Sequence, residues 1–263
     1  MASPKEYLQG QVIERRDLTP DLMIMKFALA YPLQFIPGQY CTLEIDGTAR
    51  PYSIVSAPHE SYLELFFELV PEKFRTEKSL TPRIWKLKVG DTISFWPKAK
   101  GAFVLDESYD TQVMVATVTG VAPYVSMIRT YRHGGYYHRY WPPRGWGWFI
   151  LQGASYQDEF GYLDELRQYH DKGWIFYVPT VSRPQEERNH GWLGQTGRVN
   201  AIMPELFRNL FIEANRRTVC YLCGNEGMVQ VLGNKKSRAD KPRGWLFTTA
   251  GFSEKEVKEE IFF

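Results

Sequence analysis

Val113-Met114-Val115-Ala116-Thr117-Val118-Thr119-Gly120-Val121-Ala122-Pro123-Tyr124 decides the fold of the second half of this chain. Val113–Val118 is a short apolar run of the kind found in strands buried within a parallel sheet. It breaks at a Thr-Gly turn, and Val121–Arg129 then takes up helical spacing. A strand that ends in such a turn and opens a helix lets backbone N–H groups approach a phosphate, although an ordinary βα turn has the same look. Moving outward, Trp148–Leu151, Trp174–Val178, Val219–Leu222 and Trp245–Phe247 read as further buried strands. Asp158–His170, Met203–Ile212 and Glu226–Leu232 read as the connecting helices. The alternation predicts a parallel α/β sheet.

Upstream the rhythm differs. Gln11–Arg15, Leu22–Ala30, Tyr40–Ile45, Tyr52–Val55, Tyr62–Val70 and Thr92–Trp96 are short β-rich runs separated by turn residues, which predicts an antiparallel β-barrel or sandwich. One helix interrupts it, opened by Thr81-Pro82, carrying Ile84 and Leu87 on its apolar side, and closed at Gly90-Asp91. The two regimes meet at Leu105-Asp106-Glu107-Ser108, so the expected domains are residues 1–105 and 106–263. No internal repeat is visible.

The 263 residues, 44% hydrophobic and 24% charged, suffice for one large or two medium domains and exclude a disordered or fibrous chain. A net charge of +2 points to neither nucleic acid nor an anionic membrane. No apolar run reaches the roughly 18 residues of a membrane span, and Met1–Gly10 lacks the order of a secretory signal, so a cytoplasmic protein is expected. Three cysteines, Cys41, Cys220 and Cys223, are too few for a disulfide framework or a four-thiolate cluster. No metal site is expected.

Arg50-Pro51-Tyr52-Ser53-Ile54-Val55-Ser56 joins a guanidinium able to grip a phosphate, a phenol able to lie against a ring system and a hydroxyl able to bond a ring nitrogen. Alone, these are as well explained as surface and packing residues. The string resembles the Arg-x-Tyr-Ser flavin motif of the bacterial-type ferredoxin/flavodoxin–NADP reductase family. Leu80-Thr81-Pro82-Arg83 resembles the family's second flavin-phosphate site, where backbone N–H groups and a helix dipole would hold the pyrophosphate; a plain capped helix is the other reading. Lys100–Asp106 resembles the strand joining the family's two domains.

The resemblance extends over nearly the whole chain. Thr117-Val118-Thr119-Gly120-Val121-Ala122-Pro123 is similar to the family's Thr-Gly-Thr-Gly-x-Ala-Pro, with Val118 in place of the first glycine. Cys220-Tyr221-Leu222-Cys223-Gly224 contains a Cys-x-x-Cys, readable as a thiol pair or half a zinc site. With Asn225–Met228 it resembles instead the family's Cys-Gly-x-x-x-Met, which places Cys223 where nicotinamide meets flavin and leaves Cys220 in the core. Ser182-Arg183 and Arg198 resemble basic positions that hold a 2′-phosphate, with Arg188 between them, while Ser155 stands where many relatives carry arginine. Phe262 and Phe263 match terminal aromatics that pack on flavin, or simply close a strand.

What the resemblance implies is a two-domain enzyme: an FAD-binding barrel at 1–105 and a Rossmann-like NADP(H)-binding domain at 106–263, exchanging electrons with a ferredoxin or flavodoxin. The flavin contacts would be Arg50, Pro51, Tyr52, Ser53, Phe67, Val70, Leu80, Thr81, Phe262 and Phe263. Thr117, Thr119, Gly120, Ser182, Arg183, Arg188, Arg198, Cys223, Gly224 and Met228 would hold the nucleotide. Ser53, Tyr52 and Cys223 would serve catalysis, and a monomer is expected. The rival readings are an oxygenase-system reductase, a free-flavin or quinone reductase, and a non-catalytic subunit that keeps the fold. Two segments fall outside the resemblance. Arg132–Trp148, rich in aromatics and arginine, reads as packed loop or partner surface rather than a nucleic-acid platform. Gly233–Gly244, with five basic residues and one acid, would suit an acidic carrier.

Overall fold

The computed structural model describes residues 7–133, 147–210, 217–234 and 243–262. The chain divides into two compact units, Met1–Leu105 with Ala122–Gly134, and Asp106–Val121 with Gly135–Phe263.

In the first unit β1 (Leu8–Thr19), β2 (Leu22–Leu29), β3 (Tyr40–Ile45), β4 (Thr48–Ser53), β5 (Leu63–Glu68) and β6 (Thr92–Phe95) form one antiparallel sheet in the order β4-β3-β6-β1-β2-β5. Its ends meet through an Ile54–Leu65 bridge and a Val55 N–H donating to the Glu64 carbonyl at 2.9 Å, so the sheet curls into a barrel. Inward residues alternate with outward ones, Leu8 and Val12 on β1 joining Met23, Met25, Phe27, Leu65, Phe67 and Phe95 in the core. Phe27 and Phe95 meet edge to face at 5.2 Å.

Two expectations change here. The strand expected at Tyr52–Val55 runs instead from Thr48 to Ser53. Asp46 and Gly47 both hold positive φ, a two-residue hairpin turn that pairs Ile45 directly with Thr48. The expected helix shrinks to α1 (Thr81–Ile84), because Lys86 and Leu87 bond three residues back rather than four and tighten the chain into turns.

The second unit holds β7 (Thr111–Thr117), β8 (Trp148–Ala154), β9 (Phe176–Val181), β10 (Gln195–Thr196), β11 (Thr218–Asn225) and β12 (Val257–Phe262), all parallel, in the order β10-β9-β8-β7-β11-β12. The sequence expectation assigned α2 (Ala122–His133) to this unit, but the helix groups with the barrel. Ser126 Oγ donates to the Ser56 carbonyl at 2.7 Å, and Arg129 reaches buried Glu64 at 2.5 Å and Glu60 at 3.4 Å. The other helices are α3 (Leu163–Asp171), α4 (Val199–Asn209), α5 (Glu226–Leu232) and α6 (Trp245–Thr248). Val113, Val115, Leu151, Cys220 and Leu222 form the sheet side of a core completed by Met203 and Phe207 of α4, Met228 of α5 and Leu246 of α6.

Trp245–Phe247, expected as a strand, is α6. Its Trp245 meets Phe207 edge-on at 5.4 Å, and a run of three apolar residues carries no period to distinguish helix from strand. The last strand is β12, whose Lys258-Glu259-Glu260 hides it from a hydrophobicity reading. Such charge is usual on the edge of a sheet.

Candidate functional site

At one end of the barrel the residues of the flavin motif gather with segments far away in sequence. The period of β4 puts Arg50 and Tyr52 on one face. Arg50 is exposed and donates to the carbonyls of Ala49 at 2.8 Å and Lys78 at 3.0 Å, which draws the loop before α1 alongside β4. Arg83 donates to the Ile45 carbonyl, the Thr48 hydroxyl and the Glu77 carbonyl, tying that loop to the β3–β4 hairpin. Tyr52 meets Phe67 edge-on at 4.9 Å, and burial pushes its hydroxyl well above the ordinary tyrosine value. Ser53 is buried at the end of β4, and Pro51 is exposed.

Several of these residues act through support. Phe67 is fully buried, so its ring props Tyr52 rather than offering a surface. Leu80 is buried in the core, and Thr81 Oγ1 accepts from the Val70 N–H at 3.0 Å, latching the end of β5 to α1. The helix-dipole argument for this segment falls, since α1 has four residues and one turn sums little dipole. Pro82 has no N–H, and the Arg83 and Ile84 N–H groups both bond the Leu80 carbonyl, at 2.9 and 3.1 Å, which leaves at most the Leu80 and Thr81 N–H groups for an anion.

In the second unit β7 leads on to β8 on one side and has β11 on its other side, so the strand order reverses between β7 and β11. The crevice beyond the carboxyl ends at such a reversal is where open α/β sheets bind ligands. Thr117 ends β7 and Thr119 and Gly120 follow it, Cys223 and Gly224 lie at the end of β11, and Met228 sits in α5 with its side chain in the core. The two ends nearly touch. A Cβ on Gly120 would lie 2.2 Å from the Cys223 carbonyl oxygen, and one on Gly224, at φ +128°, would lie 2.3 Å from Thr117 Oγ1. Thr117 Oγ1 accepts from the Asn225 N–H at 2.8 Å, and Asn225 Oδ1 caps α5 through the Gly227 N–H at 2.8 Å. The glycines thus serve close strand packing first. Val118 holds φ +43°, and its side chain packs toward Ala154, Phe160 and Val181.

Cys220 and Cys223 lie on opposite faces of β11, as three residues along a strand require, so they form no thiol pair. Cys220 sits in the core. Cys223 Sγ lies 3.9 Å from a carboxylate oxygen of Glu260, its register partner on β12. Burial first, and then the Glu260 charge, push the Cys223 thiol well above its ordinary value. Sequence reading weighed a strand closed by Phe262 and Phe263 but gave Glu260 no role, because the Cys223 beside it is remote along the chain. Among the described residues no cluster of three or more metal-ligating side chains occurs.

Ser182 follows β9, and Gly197 N–H bonds the Val181 carbonyl at 2.8 Å, which brings Arg198 near the same strand end as Arg183. Arg188 stacks on Tyr156 at 3.8 Å and pairs with Asp158 at 2.7 Å. The Ser155 N–H donates to Glu159 at 2.8 Å. Phe263, the Phe262 side chain, and most of the Arg132–Trp148 and Gly233–Gly244 segments lie outside the described residues.

A family model described as an oxidoreductase NAD-binding domain matches residues 114–233. The flavodoxin/ferredoxin–NADP reductase of Escherichia coli (strain K12) is 30% identical over 236 residues, covering 86% of this chain and 88% of that protein. The chain belongs to the flavodoxin/ferredoxin–NADP reductase family. Members of this family are oxidoreductases, and this chain shares their two-unit order, barrel first and parallel sheet second. The fold also matches a ferredoxin NADP+ reductase from Neisseria gonorrhoeae, a structure with bound FAD and NADP. That match has a TM-score of 0.72 at 21% identity and covers 98% of this chain and 99% of that one. The ferredoxin–NAD(P)+ reductase component of a naphthalene 1,2-dioxygenase system from Pseudomonas putida is 28% identical, over 48% of this chain and 38% of that protein. Among the described residues no helix is long and apolar enough to cross a membrane.

Proposed function

We propose that the protein is an FAD-dependent oxidoreductase that passes electrons between NADP(H) and a ferredoxin or flavodoxin, acting as a cytoplasmic monomer. Family membership supports the reaction class. The observation that carries the flavin assignment is the bond from Arg50, on the strand that also holds Tyr52 and Ser53, to the Lys78 carbonyl just before α1.

Arg50 forms no ion pair among the described residues, so its charge suits a phosphate. Tyr52, held edge-on by Phe67, offers its flat ring as the wall of a flavin site. Ser53, buried and carrying a hydroxyl, would hold a proton at a ring nitrogen away from bulk water. In the second unit Thr119, Gly120 and the Cys223–Gly224 strand end would position the nucleotide, with Cys223 adding apolar bulk that keeps water out. Bound FAD supplies the conversion of a two-electron hydride into single electrons for a carrier. The basic Gly233–Gly244 segment is proposed to meet an acidic carrier.

The test is anaerobic mixing with NADPH and, separately, NADH, followed at about 450 nm, where oxidised flavin absorbs. Bleaching by NADPH is expected, and a colourless protein after added FAD would refute the flavin site. Ser53→Ala should slow bleaching roughly tenfold or more while FAD stays bound. Arg50→Ala should lose FAD on extensive dialysis. The half-length similarity to an oxygenase-system reductase keeps one second reading. Faster reduction of an oxygenase's own ferredoxin than of a flavodoxin would favour it.

A further inference from the structure

Tyr156, just beyond the end of β8, gathers two arginines. The Arg188 guanidinium lies 3.8 Å from its ring centre and the Arg183 guanidinium 5.4 Å, while Arg183 Nη1 donates to its hydroxyl at 2.8 Å. Each cation already has a carboxylate from this chain. Arg188 pairs with Asp158 at 2.7 Å and lies 3.8 Å from Glu159. Arg183 lies 3.5 Å from one oxygen of Glu186, and the Tyr156 hydroxyl donates to the other.

Glu186 therefore occupies the place of a bound anion, one oxygen facing a guanidinium and the other a phenol. A 2′-phosphate would seek the same two donors. To reach them it must displace a carboxylate whose charge stays close by, and like charges at such range repel. A ribose with a free 2′-hydroxyl meets no such conflict, since it can donate to a carboxylate. The cluster stands at the carboxyl ends of β8 and β9, on the side of the sheet where ligands bind in this architecture.

We propose that Glu186 is a specificity-determining residue, which narrows the enzyme's preference for 2′-phosphorylated over unphosphorylated nucleotide. The inference rests on the nucleotide-site reading given above. Its probes are adenosine 2′,5′-bisphosphate and AMP, titrated by calorimetry into the FAD-loaded parent, Glu186→Gln and Glu186→Gln/Arg183→Ala. Glu186→Gln should bind the bisphosphate roughly fivefold more tightly at low salt, with AMP affinity unchanged, a size set by the exposure of the cluster. The gain should shrink in about 0.5 M salt and vanish in the double variant. The NADPH-to-NADH ratio of kcat/KM should rise by a similar factor. Equal tightening of both probes, or of neither, overturns the inference and leaves the nucleotide site standing. If neither probe binds any of the three proteins, the nucleotide-site reading falls and this inference falls with it.

Discussion

Val118 and Gly120 sit two residues apart in one turn and show opposite solutions to the same crowding. Val118 accepts a left-handed backbone, which costs a β-branched residue about 1–2 kcal/mol, and recovers a similar amount by packing on Ala154, Phe160 and Val181. Val118→Gly removes both contributions, so stability should stay within about 1 kcal/mol of the parent. Val118→Ala keeps the strain and loses the packing, and should cost about 1 kcal/mol. Urea unfolding midpoints of the three proteins check this ordering. Gly120 has no such latitude, since a Cβ would strike the backbone of Cys223. Gly120→Ala should cost about 3 kcal/mol and slow NADPH-dependent bleaching, both readable on one preparation. The need for a glycine at 120 was legible in the sequence. Its reason was not, because the atom it must avoid belongs to β11, a strand remote along the chain.

At the scale of elements, α2 is held to the barrel by an ion pair that no local pattern announces. Glu64 is almost fully buried on β5, with Arg129 2.5 Å away. Arg129→Met removes the nearest cation from a buried carboxylate and should cost about 3 kcal/mol. Adding Glu64→Gln should recover much of that loss, and a double-mutant cycle in urea measures the coupling. Elements whose own residues specify their ends were readable in sequence. Tyr40–Ile45 and Glu226–Leu232 form with the expected bounds, the first stopped by Asp46-Gly47 and the second started by the Asn225 cap. Trp245–Phe247 was misread, and β12 was weighed only at its apolar end, because composition stood in for context. An apolar triplet suits any buried element, and an edge strand carries charge.

For the molecule as a whole, burial governs the thiols. Cys41, Cys220 and Cys223 are all fully buried and free, and burial pushes the Cys41 thiol up to about 12 and the other two well above their ordinary value. No thiol should react with a disulfide reagent at pH 8 in the native protein, and all three should react once it is unfolded. The same burial sets a pH dependence. The folded state keeps these protons while an unfolded chain releases them above about pH 8.5, so the thiol contribution to stability is intact at neutral pH and falls as pH rises toward 12. Denaturant midpoints should therefore decline between pH 8 and pH 10, and replacing Cys41 with alanine should lessen the decline.

The sequence by itself determined the succession of a β-rich unit and an α/β unit, the flavin and nucleotide motifs, and the absence of a thiol framework. Those features rest on local periodicity, turn chemistry and residue counts. Only the tertiary structure decided that Arg50 meets Lys78, that α2 groups with the barrel, that Cys223 lies beside Glu260, and that Tyr156 donates to Glu186. Each of these is a contact between segments whose relative position depends on strand order and register, and these arise from how the whole chain buries its apolar surface.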